Sequence, residues 1–499
     1  MKHIAERYPD SRISGLFSLG DEKDVFGELK LKGRNTSLEL RHAAHVSTHK
    51  ITDKCVTGVL HDLSRVTLIE CLSDGSGTYS RYNEGYATAT LSPQYVAFGG
   101  VHIHPNDPVV GSVAFTIDDA CTLFHDHHAF GTVLKADDFI EQIVRSSKHD
   151  PQTELGPHPI IAYFTGKQEI LRVSTCIGTV TAHHCPRYGL GSSEGVRIDN
   201  TIRIGLEFNT PSTFGHAVRQ VYPLFRFFEI IVGRPQNLLS LSMELPELDD
   251  KPNVLDVYCS YPYQRDASHE RRKPHHMDLL LSPVRQQGSF ARVLGNWLEQ
   301  DKARRSARFR FSQAFGLQHS YPIDRTIAAA NMFDLLPDDA VPSRVEVPHD
   351  IRDAKNKCRE IFRKLPGSLE RQALLEAIGR IGKSGLKHKV RHRAKPILEA
   401  AGVHFPDLNI AIDQAIDCRN YFVHGSQKSI DYSEHFAVVV FLTDTLEFIF
   451  GASDLIDAGW DVTAWLSHQN FQSHPFSSYL FTYEENISKL RGILASPAS

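Results

Sequence analysis

The spacing of apolar residues changes near the middle of the chain, and that change sets what it can fold into. From about residue 12 to 280, stretches such as VFGELKLKG (25–33) and NTSLELRHA (35–43) alternate apolar with polar side chains, while RVTLIECL (65–72) and IRIGLEF (202–208) are short β-rich runs. A period of two turns one face of a strand toward a core, and the Gly, Asp, Asn and Pro clusters between runs supply turns. Two helices are expected within this pattern, around 136–147 (ADDFIEQIVRSS) and 212–233 (STFGHAVRQVYPLFRFFEIIVG). A sandwich or a pair of packed antiparallel sheets is the architecture such runs build. The polar, charged stretch 263–278 (YQRDASHERRKPHHMD) contains Pro274 and marks an exposed connection, with a boundary near 280.

Beyond that boundary, apolar residues recur three or four apart in SFARVLGNWLEQ (289–300), IDRTIAAANMFDLL (323–336), SLERQALLEAIGRI (368–381) and KPILEAAG (395–402). That is the period of a helix with one buried face. The chain of 499 residues is longer than one core supports. The fold class is therefore α+β: a β-rich N-terminal domain over 1–280, a helical connector over 281–320 and an all-α bundle over 321–499. The run FAVVVFLTDTLEFIF (436–450) is too short to cross a bilayer comfortably and carries Asp444 and Glu447, so it reads as a core helix and not as a membrane anchor. The opening MKHIAERYPDSR lacks the apolar segment of a secretory signal, which points to the cytoplasm. Eight cysteines with no C-x-x-C spacing fit reduced thiols there.

A net charge of -4 with 41% hydrophobic residues describes a globular chain that is not broadly basic, so any nucleic acid must be held by a local patch. Two runs qualify: RIGKSGLKHKVRHRAK (380–395), which contains no acid, and KARRSARFRF (302–311). Each reads either as a solvated helix face or as a phosphate-contacting surface, with Lys383, Lys387, Lys389, Arg391 and Arg393 the candidates in the first run. No G-x-x-x-x-G-K-[ST] loop and no G-x-S-x-G elbow occurs, which removes the usual ATPase and serine-hydrolase chemistries. His102 and His104, the group His125, Asp126, His127 and His128, and the set Cys176, His183, His184 and Cys185 each place metal-ligating types together. The last is the best zinc candidate, but none has a recognised four-ligand spacing, and surface histidines with no metal site are the expectation.

One short segment carries chemistry. RNYFVHG (419–425) puts Arg419 five residues before His424. The same spacing links Arg271 to His276 and Arg344 to His349, but Pro274 and Pro348 interrupt those two. Only Arg419 and His424 share an uninterrupted helix, starting near Pro406 and Asp407 and burying Leu408, Ile412, Ala415, Ile416 and Phe422. Gly425 is the residue expected just past its end. A histidine in the last turn meets the negative end of the helix dipole, which favours the imidazolium. On an ideal helix Arg419 and His424 lie about 140° apart, whereas Asn420 and His424 share a face. Asn420 is then placed to orient the imidazole. Arg419 would reach it only if the helix end bends or a second copy packs alongside, so a two-fold dimer is expected.

RNYFVHG at a helix end in an all-α domain resembles the Arg, polar residue, three more, His signature of HEPN ribonucleases. The stretches 278–300 and 321–337 resemble the preceding helices of ApeA-type anti-phage proteins, and 13–41 and 56–71 resemble the opening of that family's β-rich domain. The resemblance implies a metal-independent, cofactor-free endoribonuclease in which the 2′-hydroxyl attacks the adjacent phosphate. Arg419 would grip phosphate oxygens, His424 would act as general acid or base, and Asn420 would hold the imidazole or a phosphate. Asp334 stands where such proteins often carry glutamate and would support the site, with Tyr421 at a dimer interface or on a base, and Gly425 closing the helix. It further implies abortive infection through damage to host RNA, tRNA above all. A homodimer or larger even-numbered assembly and a phage-derived protein trigger sensed by the N-terminal domain complete the expectation. The alternative is a catalytically silent HEPN-type module that binds RNA or protein and recruits another effector.

Overall fold

The computed structural model describes residues 12–19, 22–42, 55–81, 84–146, 154–193, 195–248, 251–261, 273–342, 344–426, 430–467 and 472–495. Most of the exposed connection expected at 263–278 lies outside them. The chain forms two compact units, one of residues 1–225, 236–276 and 282–291, the other of 226–235, 277–281 and 292–499.

In the first unit, fourteen strands form one antiparallel sheet. Their order is Glu169–Thr175, Gly178–Ser192, Gly195–Ser212, Val110–Ile117, Leu238–Leu248, Lys251–Cys259, Tyr95–Gly99, Arg65–Ile69, Cys55–Leu60, Arg12–Leu19, Glu22–Lys30, Ser37–His42, Glu84–Ser92 and Leu72–Arg81. A separate ribbon pairs Phe130–Leu134 with Ile160–Phe164. The sheet is continuous, where a pair of sheets was expected, because Val110–Ile117 pairs on both edges and Asp256–Cys259 pairs with Tyr95–Phe98. Period-two alternation does not reveal such joins. Ile13, Phe17, Val25, Leu29, Leu38, Leu40, Val66, Leu68, Leu91 and Val96, from neighbouring strands, converge in one buried cluster. Phe17 sits there between glycines: a Cβ at Gly58 would lie 2.5 Å from its ring and one at Gly27 2.8 Å away. Helices α1 (Ala120–Leu123), α2 (Asp137–Ser146) and α3 (Phe214–Val232) follow the strands, α2 and α3 where periodicity places them.

The second unit is helical: besides the end of α3 from Arg226, it holds α4 (Gln287–Phe315) from Arg292 onward, α5 (Ile323–Asn331), α6 (His349–Lys364), α7 (Leu369–Arg380), α8 (Leu386–Ala401), α9 (Leu408–His424), α10 (Phe436–Asp457), α11 (Val462–Leu466) and α12 (Pro475–Ala495). Helix α10 is long and apolar enough to cross a membrane, but it is the core of this unit, buried from Val438 through Leu455 along most of its surface. Three of its four acids are hydrogen-bonded by arginine. Arg304 binds Asp454 at 2.7 Å and Asp457 at 2.8 Å, Arg308 binds Asp454 at 2.8 Å, Arg393 binds Asp457 at 2.6 Å, and Arg325 grips Glu447 at 2.8 and 2.9 Å. Charges withdrawn from water persist only when paired in this way. The run 302–311 is therefore divided: Arg304 and Arg308 are buried, whereas Lys302, Arg305 and Arg310 are exposed. Of the segment 281–320, residues 282–291 fall in the first unit and 281 and 292–320 in the second.

Candidate active site at the end of helix α9

Helix α9 buries Leu408, Ala411, Ile412, Ala415, Ile416 and Cys418, and thereby turns the other side of its last turns outward. Gly425 ends it in the left-handed region (φ 65°), and its N–H donates to Tyr421 O at 2.9 Å. With no Cβ, glycine takes that conformation without strain.

At this end the Arg419 guanidinium organises the polar groups. Nη1 donates to Asn420 Oδ1 at 3.0 Å and to His424 Nε2 at 3.1 Å, and Nη2 donates to Asn331 Oδ1, on the last residue of α5, at 2.9 Å. Arg419 thus reaches His424 within one chain, with no second copy required. The 140° separation on an ideal helix describes backbone directions, whereas a long side chain at the final turn can swing past the helix end. Asn420 holds the arginine, not the imidazole as expected. Because a guanidinium can only donate, His424 Nε2 must be the acceptor, and this contact is made by a neutral imidazole. His424 is exposed, Arg419 and Asn420 are half-buried, and Arg419 Nε is buried without an acceptor.

Asn331 was missed by sequence reasoning, which singled out Asp334 three residues later. Asp334 is turned to Lys389 instead, at 2.8 Å. Tyr421 packs against Phe422 and Tyr432, with ring centroids 5.1 and 5.5 Å away. The basic run on α8 is largely spent on acids: Lys387 binds Asp417 at 3.2 Å, and Arg391 pairs with Asp413. Arg393 is corrected outright as an RNA contact, because it is 4% exposed and bound to Asp457. Lys383 remains exposed.

Among the metal candidates, His183, His184 and Cys185 are successive residues of one strand and alternate across its faces, with His184 Nδ1 2.9 Å from Asn200 Nδ2. His104 lies 3.6 Å from Asp107. Among the described residues, the histidines that do converge are His125 and His127, joined by His276.

A family model for the ApeA N-terminal domain 1 matches residues 12–297, more than half of the chain. The chain belongs to the ApeA family. A second model, Apea-like HEPN, matches residues 327–464 and takes in Asn331, Asp334, Arg419, Asn420 and His424. The ApeA-family chain thus carries its polar helix end in a HEPN module, a fold that is in general that of ribonucleases. No curated protein and no solved structure matches the chain.

Proposed function

We propose that this ApeA-family chain is a metal-independent endoribonuclease that cuts host RNA, tRNA above all, in abortive defence against phage. The observation that carries the reading is the contact of Arg419 Nη1 with His424 Nε2 at 3.1 Å, anchored from α5 by Asn331 at 2.9 Å. It sets an anion-binding fork beside a neutral imidazole. The nitrogen that accepts from arginine has the lone pair a general base needs. A phosphate oxygen arriving at the guanidinium competes for Nη1 and releases Nε2. His424 then takes the 2′-hydroxyl proton, the 2′-oxygen attacks phosphorus, and the bond to the 5′-oxygen breaks as the imidazolium returns the proton to it. Products are a 2′,3′-cyclic phosphate and a 5′-hydroxyl, with His424 neutral again. Arg419 stabilises the charge that builds on the phosphorane oxygens.

A homodimer and a phage-protein trigger acting on the N-terminal domain belong to the same proposal. The dimer rests on the family resemblance alone, since the site's polar groups meet within one chain. The test incubates purified wild-type and His424→Ala protein with total tRNA in EDTA, followed by end-group analysis. Cyclic phosphate ends from the wild type alone support the reading. Fragments with 3′-hydroxyl ends, or equal cleavage by both proteins, contradict it. If both are silent, lysate from infected cells is added as a source of trigger. Arg419→Ala and His424→Ala chains that fold yet protect cells fully would establish the alternative, a binding module.

A further inference from the structure

The first unit holds a histidine cluster that the ribonuclease reading does not use. His125 and His127 lie in the turn between α1 and the strand Phe130–Leu134, while His276 arrives from a segment far along the chain. One ring nitrogen from each lies within 4.8 Å of one from each of the others. His125 Nε2 is 3.1 Å from His127 Nδ1, and the His125 and His276 rings stack with centroids 4.2 Å apart. Nitrogens bound to one tetrahedral zinc at about 2.05 Å stand about 3.3 Å apart, so the first pair already has the spacing of two ligands on one ion.

The surroundings fix the ligands in place. The buried Asp126 carboxylate, between the two histidines in sequence, accepts from His128 N–H at 2.9 Å and from Lys167 Nζ at 3.2 Å, which sets the turn from which both rings project. On the other side, Arg285 Nη2 donates to His276 O at 3.0 Å and holds that backbone. A proton can bridge only one pair of imidazoles at a time. A cation can use the lone pairs of all three. Imidazole nitrogens without thiolate or clustered carboxylate suit a borderline divalent ion and not magnesium or calcium.

We propose that His125, His127 and His276 bind one Zn²⁺ ion, leaving a fourth position to solvent, and that the ion clips the segment carrying His276 to the turn carrying the other two. The test uses full-length protein without a histidine tag, stripped with chelator, loaded with a slight excess of Zn²⁺, desalted and assayed for metal by mass spectrometry. The wild type should retain one zinc per chain and melt at a higher temperature than its stripped form. The His125→Ala/His276→Ala chain should retain none, while a His104→Ala/His216→Ala control should behave as wild type. Equal zinc in wild type and double variant, or none in the wild type, would overturn the assignment and leave a hydrogen-bonded cluster. Should the double variant fail to fold, Co²⁺ titration of the wild type decides: visible bands of four-coordinate cobalt that zinc displaces are expected, and a six-coordinate spectrum overturns the proposal. Neither readout involves RNA.

Discussion

Replacing Asn331 by alanine tests whether a residue on α5 positions the arginine on α9. Of the three acceptors around the Arg419 guanidinium, Asn420 and His424 belong to its own helix, and Asn331, at 2.9 Å from Nη2, comes from another. A hydrogen bond to a charged group is worth about 1.5–3 kcal/mol. The site is half-exposed, so water replaces part of that loss and about 1–2 kcal/mol remains. At 1.36 kcal/mol per tenfold, the chemical step should slow about 5- to 30-fold. RNA affinity should change little, because the guanidinium keeps its charge. Single-turnover cleavage of labelled tRNA, with anisotropy for binding, reads both quantities. Asn331→Gln, which keeps an acceptor oxygen, should recover part of the rate, and Asn331→Ala should matter less in an Arg419→Lys background. Full activity of Asn331→Ala beside an inactive Arg419→Ala would refute the argument, as would an undiminished effect in the lysine background.

Two further expectations concern stability. Asp454→Ala leaves two buried guanidiniums, those of Arg304 and Arg308, without their shared carboxylate; the loss should be about 3–5 kcal/mol in urea unfolding. Trp297, whose ring lies 3.4 Å beneath Arg308, is a local fluorescence reporter, and a loss under about 1 kcal/mol would show the pairs to be replaceable by water. His474 is wholly buried, with Nε2–H donated to Ile230 O at 2.9 Å and Nδ1 accepting from Phe476 N–H at 3.0 Å. Burial pushes its pKa down to about 4. The unfolded chain, at about 6.5, then binds the extra proton, so stability from this group is complete above about pH 6.5 and is lost as pH falls toward 4. Between pH 7 and 5 the wild type should lose about 2 kcal/mol more than His474→Gln. The comparison with the variant is needed because Asp444, raised to about 7 by burial and by Glu447, changes stability in the opposite sense. Parallel pH profiles for the two proteins would contradict the assignment.

Most of the fold was legible because the two halves obey different periods. Strand alternation marked runs such as 35–43, and three-to-four spacing marked α8 and α9. What alternation could not show was which strands share an edge, because partners such as Ala97 and Val257 are far apart in sequence and their pairing is set by register. The basic runs misled for a related reason. Arg304, Arg308 and Arg393 look like a surface patch until the acids of α10 are placed against them, and Asp454 and Asp457 lie in an otherwise apolar stretch. Which histidines meet was hidden in the same way. The adjacent set at 183–185 is split by the faces of its own strand, whereas His276 meets His125 and His127 only through the fold.

At the candidate site, sequence named a set of residues but not the contacts they make. Arg419, Asn420 and His424 stood out because a helix could be drawn through them and ended at Gly425. Helical angles then argued that arginine and histidine face apart and that asparagine serves the histidine. Those angles describe where side chains begin, and for a group as long as arginine the end point is decided by the acceptors within reach. Asn331 is the acceptor that sequence could not supply, since nothing within α9 points to the last residue of α5. Once it holds Nη2 and Asn420 holds Nη1, the remaining Nη1 donor falls on His424 Nε2.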